Sequence, residues 1–132
     1  MAKAVGIGGI FFRAENPKAL AAWYAEHLGI PSGEGGSLSF DGPEAAGMTL
    51  FVPFPGDTKY FGPSSEIAAA PERKAPQQFM LDFRVDDLDQ LLAKLSAAGV
   101  AIDPKREEAD YGRFAWIWDP EGNRIELWQP LG

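Results

Sequence analysis

Two short stretches of this chain carry acids and bases at alternate positions. Asp82 and Arg84 are two residues apart in Phe79-Met80-Leu81-Asp82-Phe83-Arg84-Val85. Arg124, Glu126 and Trp128 keep the same spacing in Arg124-Ile125-Glu126-Leu127-Trp128-Gln129. Successive side chains of a strand point to opposite faces, so each set shares one face if these stretches are strands. Two carboxylates beside guanidiniums in an aromatic hollow can do acid–base chemistry, because a carboxyl desolvated by rings has a raised pKa and can act as a base near neutrality. Either carboxylate could serve as that base. The competing reading is structural: Arg84 or Arg124 pairs with Asp82 or Glu126, and the charges only satisfy one another.

Further residues join the same concave face by alternation. Phe11 and Arg13 share a face of the first strand, and Phe51 is expected there from the strand at 48–52. Trp128, next to Glu126 in the alternation, is suited to stack on a planar ligand. Tyr60 with Lys59, and Tyr111-Gly112-Arg113 before the last hairpin, are expected at the rim, where loops often carry specificity. Trp116, Trp118, Phe114 and Tyr111 crowd that hairpin, and are divided between core, pocket and a subunit interface.

These residues need a scaffold. Val5 to Arg13 reads as a strand, and Asn16 caps a helix that has Pro17 in its first turn, where a missing N–H costs nothing. Leu20, Trp23, Tyr24, His27 and Leu28 recur at helical spacing up to Gly29. Ser37 to Phe40 and Met48 to Val52 read as strands joined by Asp41-Gly42-Pro43. The second half opens with strand Phe79 to Val85. Asp86 or Asp87 then caps a helix with apolar Leu88, Leu91, Leu92 and Leu95, closed by Gly99. Ala101 to Glu107 is a strand, and Arg113–Trp118 and Arg124–Gln129 form a hairpin around Asp119-Pro120-Glu121-Gly122-Asn123.

The halves repeat. Phe12-Arg13-Ala14-Glu15-Asn16-Pro17-Lys18-Ala19-Leu20 returns 71 positions later as Phe83-Arg84-Val85-Asp86-Asp87-Leu88-Asp89-Gln90-Leu91. Both read as strand end, turn and helix start, which implies two equivalent βαβββ modules and a ligand-sized hollow between them. The expected organisation is α+β, a single domain over 1–132. Module one spans 5–53 and module two 79–130, and the connecting loop 54–78 either links the halves or forms a functional loop over the cup, with Asp57 to Pro63 its most structured part. Within the loop, Ser64 to Ala75 is expected to be mobile.

Bulk properties narrow the partners. The 132 residues are 45% hydrophobic and carry a net charge of −7, which disfavours nucleic acid and anionic membrane surfaces. The chain has no cysteine, which excludes disulfides, thiolate metal sites and a cysteine nucleophile. No segment reaches the ~20 apolar residues of a membrane span, and a cytoplasmic location is expected.

With Arg84-Val85-Asp86-Asp87-Leu88-Asp89 opening the second helix, Ala97-Ala98-Gly99-Val100 closing it, and Asp119-Pro120-Glu121-Gly122-Asn123-Arg124-Ile125-Glu126-Leu127 at the end, the chain resembles the vicinal oxygen chelate superfamily. This is the glyoxalase I, bleomycin-resistance and extradiol-dioxygenase group. The resemblance spans Gly6 to Pro130 and implies two modules related by a pseudo-twofold, their mixed sheet curved around a cup. It also implies, in metal-dependent members, four ligands on the first and last strands of each module. Those positions fall here on Gly9, Thr49, Met80 and Glu126, of which only Glu126 is an ordinary ligand. The single histidine, His27, lies on a helix. The expectation is therefore no usual metal site and no cofactor, with a site of Asp82 and Glu126 alone as the remaining option.

Three functions follow. The first is a binder of a small organic, aromatic or metabolite-like ligand in a metal-free cup, similar to the bleomycin-resistance branch. The second is a glyoxalase-like lyase or isomerase, or a dioxygenase-like enzyme, using Glu126 as base or metal ligand. The third is an interaction subunit whose acidic surface meets a basic partner. The resemblance also implies a homodimer, with the aromatic hairpin expected to supply its apolar interface.

Overall fold

The computed structural model describes residues 2–28, 30–33, 36–40, 49–62, 76–119 and 121–131. In chain order the elements are β1 (Ala4–Ala14), α1 (Pro17–Leu28), β2 (Leu38–Phe40), β3 (Thr49–Pro55), β4 (Phe79–Val85), α2 (Leu88–Ala97), β5 (Ile102–Ala109), β6 (Gly112–Trp118) and β7 (Arg124–Pro130). The strands form one mixed, curved sheet in the order β2-β3-β1-β4-β7-β6-β5. Its two halves echo each other: β1 runs parallel to β3, β4 runs parallel to β7, and β1 and β4 meet antiparallel at the centre. The α+β architecture is the one expected. Among the described residues the first half has two strands after its helix, and an isolated bridge between Ser32 and Leu38 stands beside them.

Local chemistry accounts for the element boundaries. The Asn16 side chain accepts from the Ala19 N–H, and the Asp87 side chain accepts from Gln90, each satisfying a donor at a helix start. Gly99 ends the α2 region at φ +83°, a conformation only glycine adopts without strain. In the final hairpin the Asp119 carboxylate accepts from the backbone of Glu121 and Asn123, which fixes the turn. The expected helix stop at Gly29, the Asp41-Gly42-Pro43 turn, the strand start at Met48, Pro120 and the 64–75 segment lie outside the described residues.

Both helices lie on one face of the sheet. Helix α1 covers β2 and β3 through Ala21, Tyr24, Leu38 and Phe51, while α2 covers β4, β6 and β7 through Leu88, Leu91, Leu92, Ala115 and Leu127. The opposite face is concave and holds a third cluster: Phe11, Phe61, Met80, Phe114, Trp116 and Trp128. Between the helices, Ile10 and Leu81 pair across β1 and β4 and are exposed, as is Phe79. None of the helices among the described residues is long and apolar enough to cross a membrane.

Candidate functional site

The concave face is where titratable groups converge. Asp82 of β4 and Glu126 of β7 are direct partners in the parallel ladder, so both carboxyls leave the sheet on the same side. Asp82 is fully buried and Glu126 is 2% exposed. Trp116, directly opposite Glu126 in the β6–β7 hairpin, donates its indole N–H to Glu126 Oε2 at 3.1 Å. The Tyr60 hydroxyl donates to the same oxygen from above.

Among the described residues no donor reaches Asp82: neither Oδ1 nor Oδ2 has a hydrogen-bond partner. Protonation resolves this, since a neutral Asp82 becomes a donor toward Glu126. Burial pushes the Asp82 pKa up to about 10, helped by the hydrogen bond to Glu126 and its negative charge, while Arg84 pulls it down. Asp82 is thus held in its protonated form at neutral pH. Burial, then the Glu126 charge and its hydrogen bond, likewise lift the Tyr60 phenol well above its ordinary value, and Tyr60 stays protonated.

Backbone space makes room for these groups. Gly8 of β1 sits against Asp82, and a Cβ there would overlap Asp82 Oδ1 and press on Trp128 Cε3. Gly6 gives the same clearance to the Arg84 guanidinium. The glycines of the first strand, which offer no side-chain chemistry, therefore admit the acid and the base of the fourth.

The expected site residues divide into three groups. Phe11, Asp82, Glu126 and Trp128 line the cup, with Arg84 beside them and Tyr111 at the rim. Trp128 is buried and stacks on Phe114 at 6.1 Å, and its indole N–H donates to the Tyr111 carbonyl at 3.3 Å. It is wall rather than an open stacking surface. Arg13 and Arg124 serve the turn at 56–62. Arg13 donates to the carbonyls of Gln77, Gly56 and Thr58, and lies over the Phe61 ring. Arg124 donates to the Tyr60 carbonyl at 3.0 Å, pairs with Asp103 at 2.9 Å, and is flanked by the rings of Trp116 and Trp118. Neither guanidinium is paired with Glu126 or Asp82, contrary to the structural salt bridge weighed for Arg124.

Two residues leave the site. Phe51 faces the helices, in edge contact with Tyr24 and 4.9 Å from Phe12. Strand β3 presents Leu50, Val52 and Phe54 to the cup instead, because its register places Gly9 opposite Leu50; the one-residue slip turns every side chain over and removes Thr49 as well. Arg113 also faces α2, held by Asp89 at 3.0 Å and Glu108 at 3.1 Å. Of the aromatic hairpin expected to supply a dimer interface, Phe114, Trp116, Trp118 and Trp128 are buried within the fold and only Tyr111 is exposed.

Phe54, Phe61, Met80 and Trp116 complete the cup without having been singled out as site residues. For Trp116 a signal existed. Folding the hairpin about Asp119–Asn123 pairs Trp118 with Arg124 and therefore Trp116 with Glu126. For Phe61 the sequence carries only a coarse signal: the stretch between the halves can be a loop over the cup, and nothing in it singles out the Phe61 ring.

A metal ion fits this set poorly. Among the described residues Glu126 and Asp82 are its carboxylates, Met80 and Leu50 offer no hard donor, and no three His, Cys, Asp or Glu residues converge. His27 is on the surface of α1 against Trp23. An open pocket of about 520 Å³ lies away from the carboxyl pair, bounded by Arg13, Glu15, Asp57, Lys59 and Gln78. Neither Asp82 nor Glu126 lines it.

Residues 9–128 match the model of a family described as glyoxalase-like domain. No curated protein matches the sequence. The fold is similar to methylmalonyl-CoA epimerase from Streptomyces coelicolor in complex with 2-nitronate-propionyl-CoA, with a TM-score of 0.69 and 14% identity over 98% of this chain and 100% of that one. It is similar to methylmalonyl-CoA epimerase from Mycobacterium tuberculosis, with a TM-score of 0.66 and 20% identity over 98% and 90%. A glyoxalase/bleomycin resistance protein/dioxygenase superfamily member from Vibrio splendidus 12B01 gives 0.56 and 12% over 98% and 99%. At these identities the likeness is one of fold.

Proposed function

The chain belongs to the family of glyoxalase-like domains, and we propose that it binds a small organic molecule in the cup above Glu126. The observation that carries this reading is the buried carboxyl pair beneath the aromatic cluster of the concave face, reached among the described residues only by Tyr60 and Trp116. A purely structural core would gain by replacing Asp82 and Glu126 with apolar side chains, since burying ionisable groups without full pairing is unfavourable. A ligand with hydrogen-bond donors and apolar surface suits both the pair and its walls. The test is a ligand-observed NMR screen of aromatic and metabolite-like compounds against wild type and Glu126→Gln. Saturable binding that the substitution weakens supports the reading; binding indifferent to Glu126→Gln, or none, contradicts it.

A proton-transfer enzyme is the second reading, favoured by the protonated Asp82 carboxyl paired across the ladder with Glu126. An acid kept protonated by burial beside a second carboxyl suits proton transfer. The fold relatives that are epimerases of an acyl-CoA add to its interest. Solvent deuterium appearing in a bound compound, and lost in Glu126→Gln, would support catalysis.

A homodimer is part of the proposal. Its apolar surface is the row of Ile7, Ile10, Phe79 and Leu81 on the central strands, exposed between the two helices.

A further inference from the structure

The cup already has an occupant, and it comes from the chain itself. The Tyr60 ring stacks on Phe54 at 5.3 Å and 16°, meets Trp116 edge-on at 5.9 Å, and lies 6.3 Å from Phe11. Its hydroxyl reaches the buried carboxylate of Glu126. Tyr60 is not a strand residue; it rides on the turn at 56–62, between β3 and the residues leading to β4. That turn is held by side chains: Arg13 grips the carbonyls of Gly56 and Thr58, and Arg124 grips the carbonyl of Tyr60. The seat is therefore shaped and wired for one planar ring bearing one O–H donor.

Any molecule entering the cup must replace what Tyr60 supplies. A ring without a donor would leave Glu126 Oε2 short of a hydrogen bond in a buried site, a loss larger than that of an ordinary exposed bond. An anion would bring a second negative charge beside Glu126, where little water screens it. A neutral hydroxyl on an aromatic ring meets both demands. We propose that the ligand class of this cup is the neutral hydroxyaromatic, a phenol, which displaces Tyr60 and donates its hydroxyl to Glu126. Tyr60 is then an intramolecular competitor rather than a residue that contacts the ligand. This rests on the reading of the Glu126 cup as the ligand site and names what that site takes.

The charged groups around the seat are consistent with it. Asp82 on β4 is held protonated beside Glu126 on β7, and Arg84 on β4 acts on Asp82. Burial first, then Glu126 and Glu107 on β5, keep Tyr60 protonated, and a phenol in its place meets the same surroundings.

The probes are 4-nitrophenol, whose phenolate is coloured, and 4-nitroanisole, which has the same ring without a donor. Each is titrated into wild type and Tyr60→Phe at neutral pH, with the phenolate absorbance and tryptophan fluorescence followed. The expected result is saturable binding of 4-nitrophenol with loss of the phenolate colour. Affinity should rise roughly tenfold in Tyr60→Phe, because the competing ring has lost its bond to a charged acceptor. 4-Nitroanisole should not compete. Weaker or unchanged binding in Tyr60→Phe, a bound dye that stays coloured, or equal binding of the anisole overturns the phenol assignment and leaves the cup as a ligand site. If neither probe binds while other compounds bind in a Glu126-dependent way, the assignment also falls. If no compound of any class binds, it falls together with the binding function.

Discussion

Asp82 and Glu126 stand opposite each other across the parallel ladder of β4 and β7, at 0% and 2% exposure, and burial holds Asp82 protonated beside its neighbour. Their neighbours on that face are rings, a methionine and two donors aimed at Glu126. The consequences of this arrangement for stability and for the cup can each be measured.

The first concerns pH. The Asp82 pKa rises from an ordinary 3.8 to about 10 on folding. Above pH 3.8 the unfolded chain releases this proton while the folded chain keeps it, so raising the pH favours unfolding until the folded carboxyl also ionises near 10. One proton gives a slope of at most about 1.4 kcal/mol per pH unit. Asp82→Asn mimics the neutral acid, donor included, and removes that slope. Urea denaturation from pH 5 to pH 9 should show the variant gaining on wild type as pH rises; parallel curves would contradict the assignment.

Arg124 ties the Tyr60 turn to the sheet, and its loss should be felt there. Arg124→Met leaves Asp103 without its partner, whose side chain is only 15% exposed, and frees the Tyr60 carbonyl. A destabilisation of about 3 kcal/mol is expected, with faster amide exchange at Tyr60 and Gly62. A change below about 1 kcal/mol would show the pair to be dispensable.

Gly8 is required by the side chain it faces. Gly8→Ala places a methyl against Asp82 Oδ1, and a loss of about 2–4 kcal/mol is expected in denaturant unfolding. In Gly8→Ala combined with Asp82→Ala much of the penalty of the first substitution should vanish, because the obstructing group is gone. Strict additivity of the two changes would disprove the contact.

The proposed dimer makes a separate claim about the outer face. Light scattering should report a dimer, and Phe79→Glu with Leu81→Lys should yield a folded monomer. A monomeric wild type, or a double variant that stays dimeric, would remove that surface from the account.

Much of this molecule was legible in its residues. The strand Phe79–Val85, the Asn16 and Asp87 caps, the Gly99 stop and the final hairpin all announce themselves through alternation, capping chemistry or turn composition. The face shared by Asp82, Glu126 and Trp128 follows from the same alternation. What failed was register and loop placement. Phe51 and Thr49 were placed on the cup because a two-residue period cannot say which face is concave, and β3 is set by its pairing with β1. Arg113 was read as rim, yet its partners Asp89 and Glu108 come from α2 and β5, a meeting fixed only by tertiary packing. Tyr60 was read as rim as well, and its descent to Glu126 depends on Arg13 and Arg124 gripping backbone carbonyls, which no periodicity encodes.

The most direct test of the account is a carbon-13 NMR titration of the side-chain carboxyls in wild type and Asp82→Asn. The predicted result is one carboxyl that stays protonated through neutral pH, titrates toward pH 10 and is missing from the variant. Complete ionisation of every carboxyl by pH 6 would contradict the protonated Asp82, and with it the chemistry assigned to the cup.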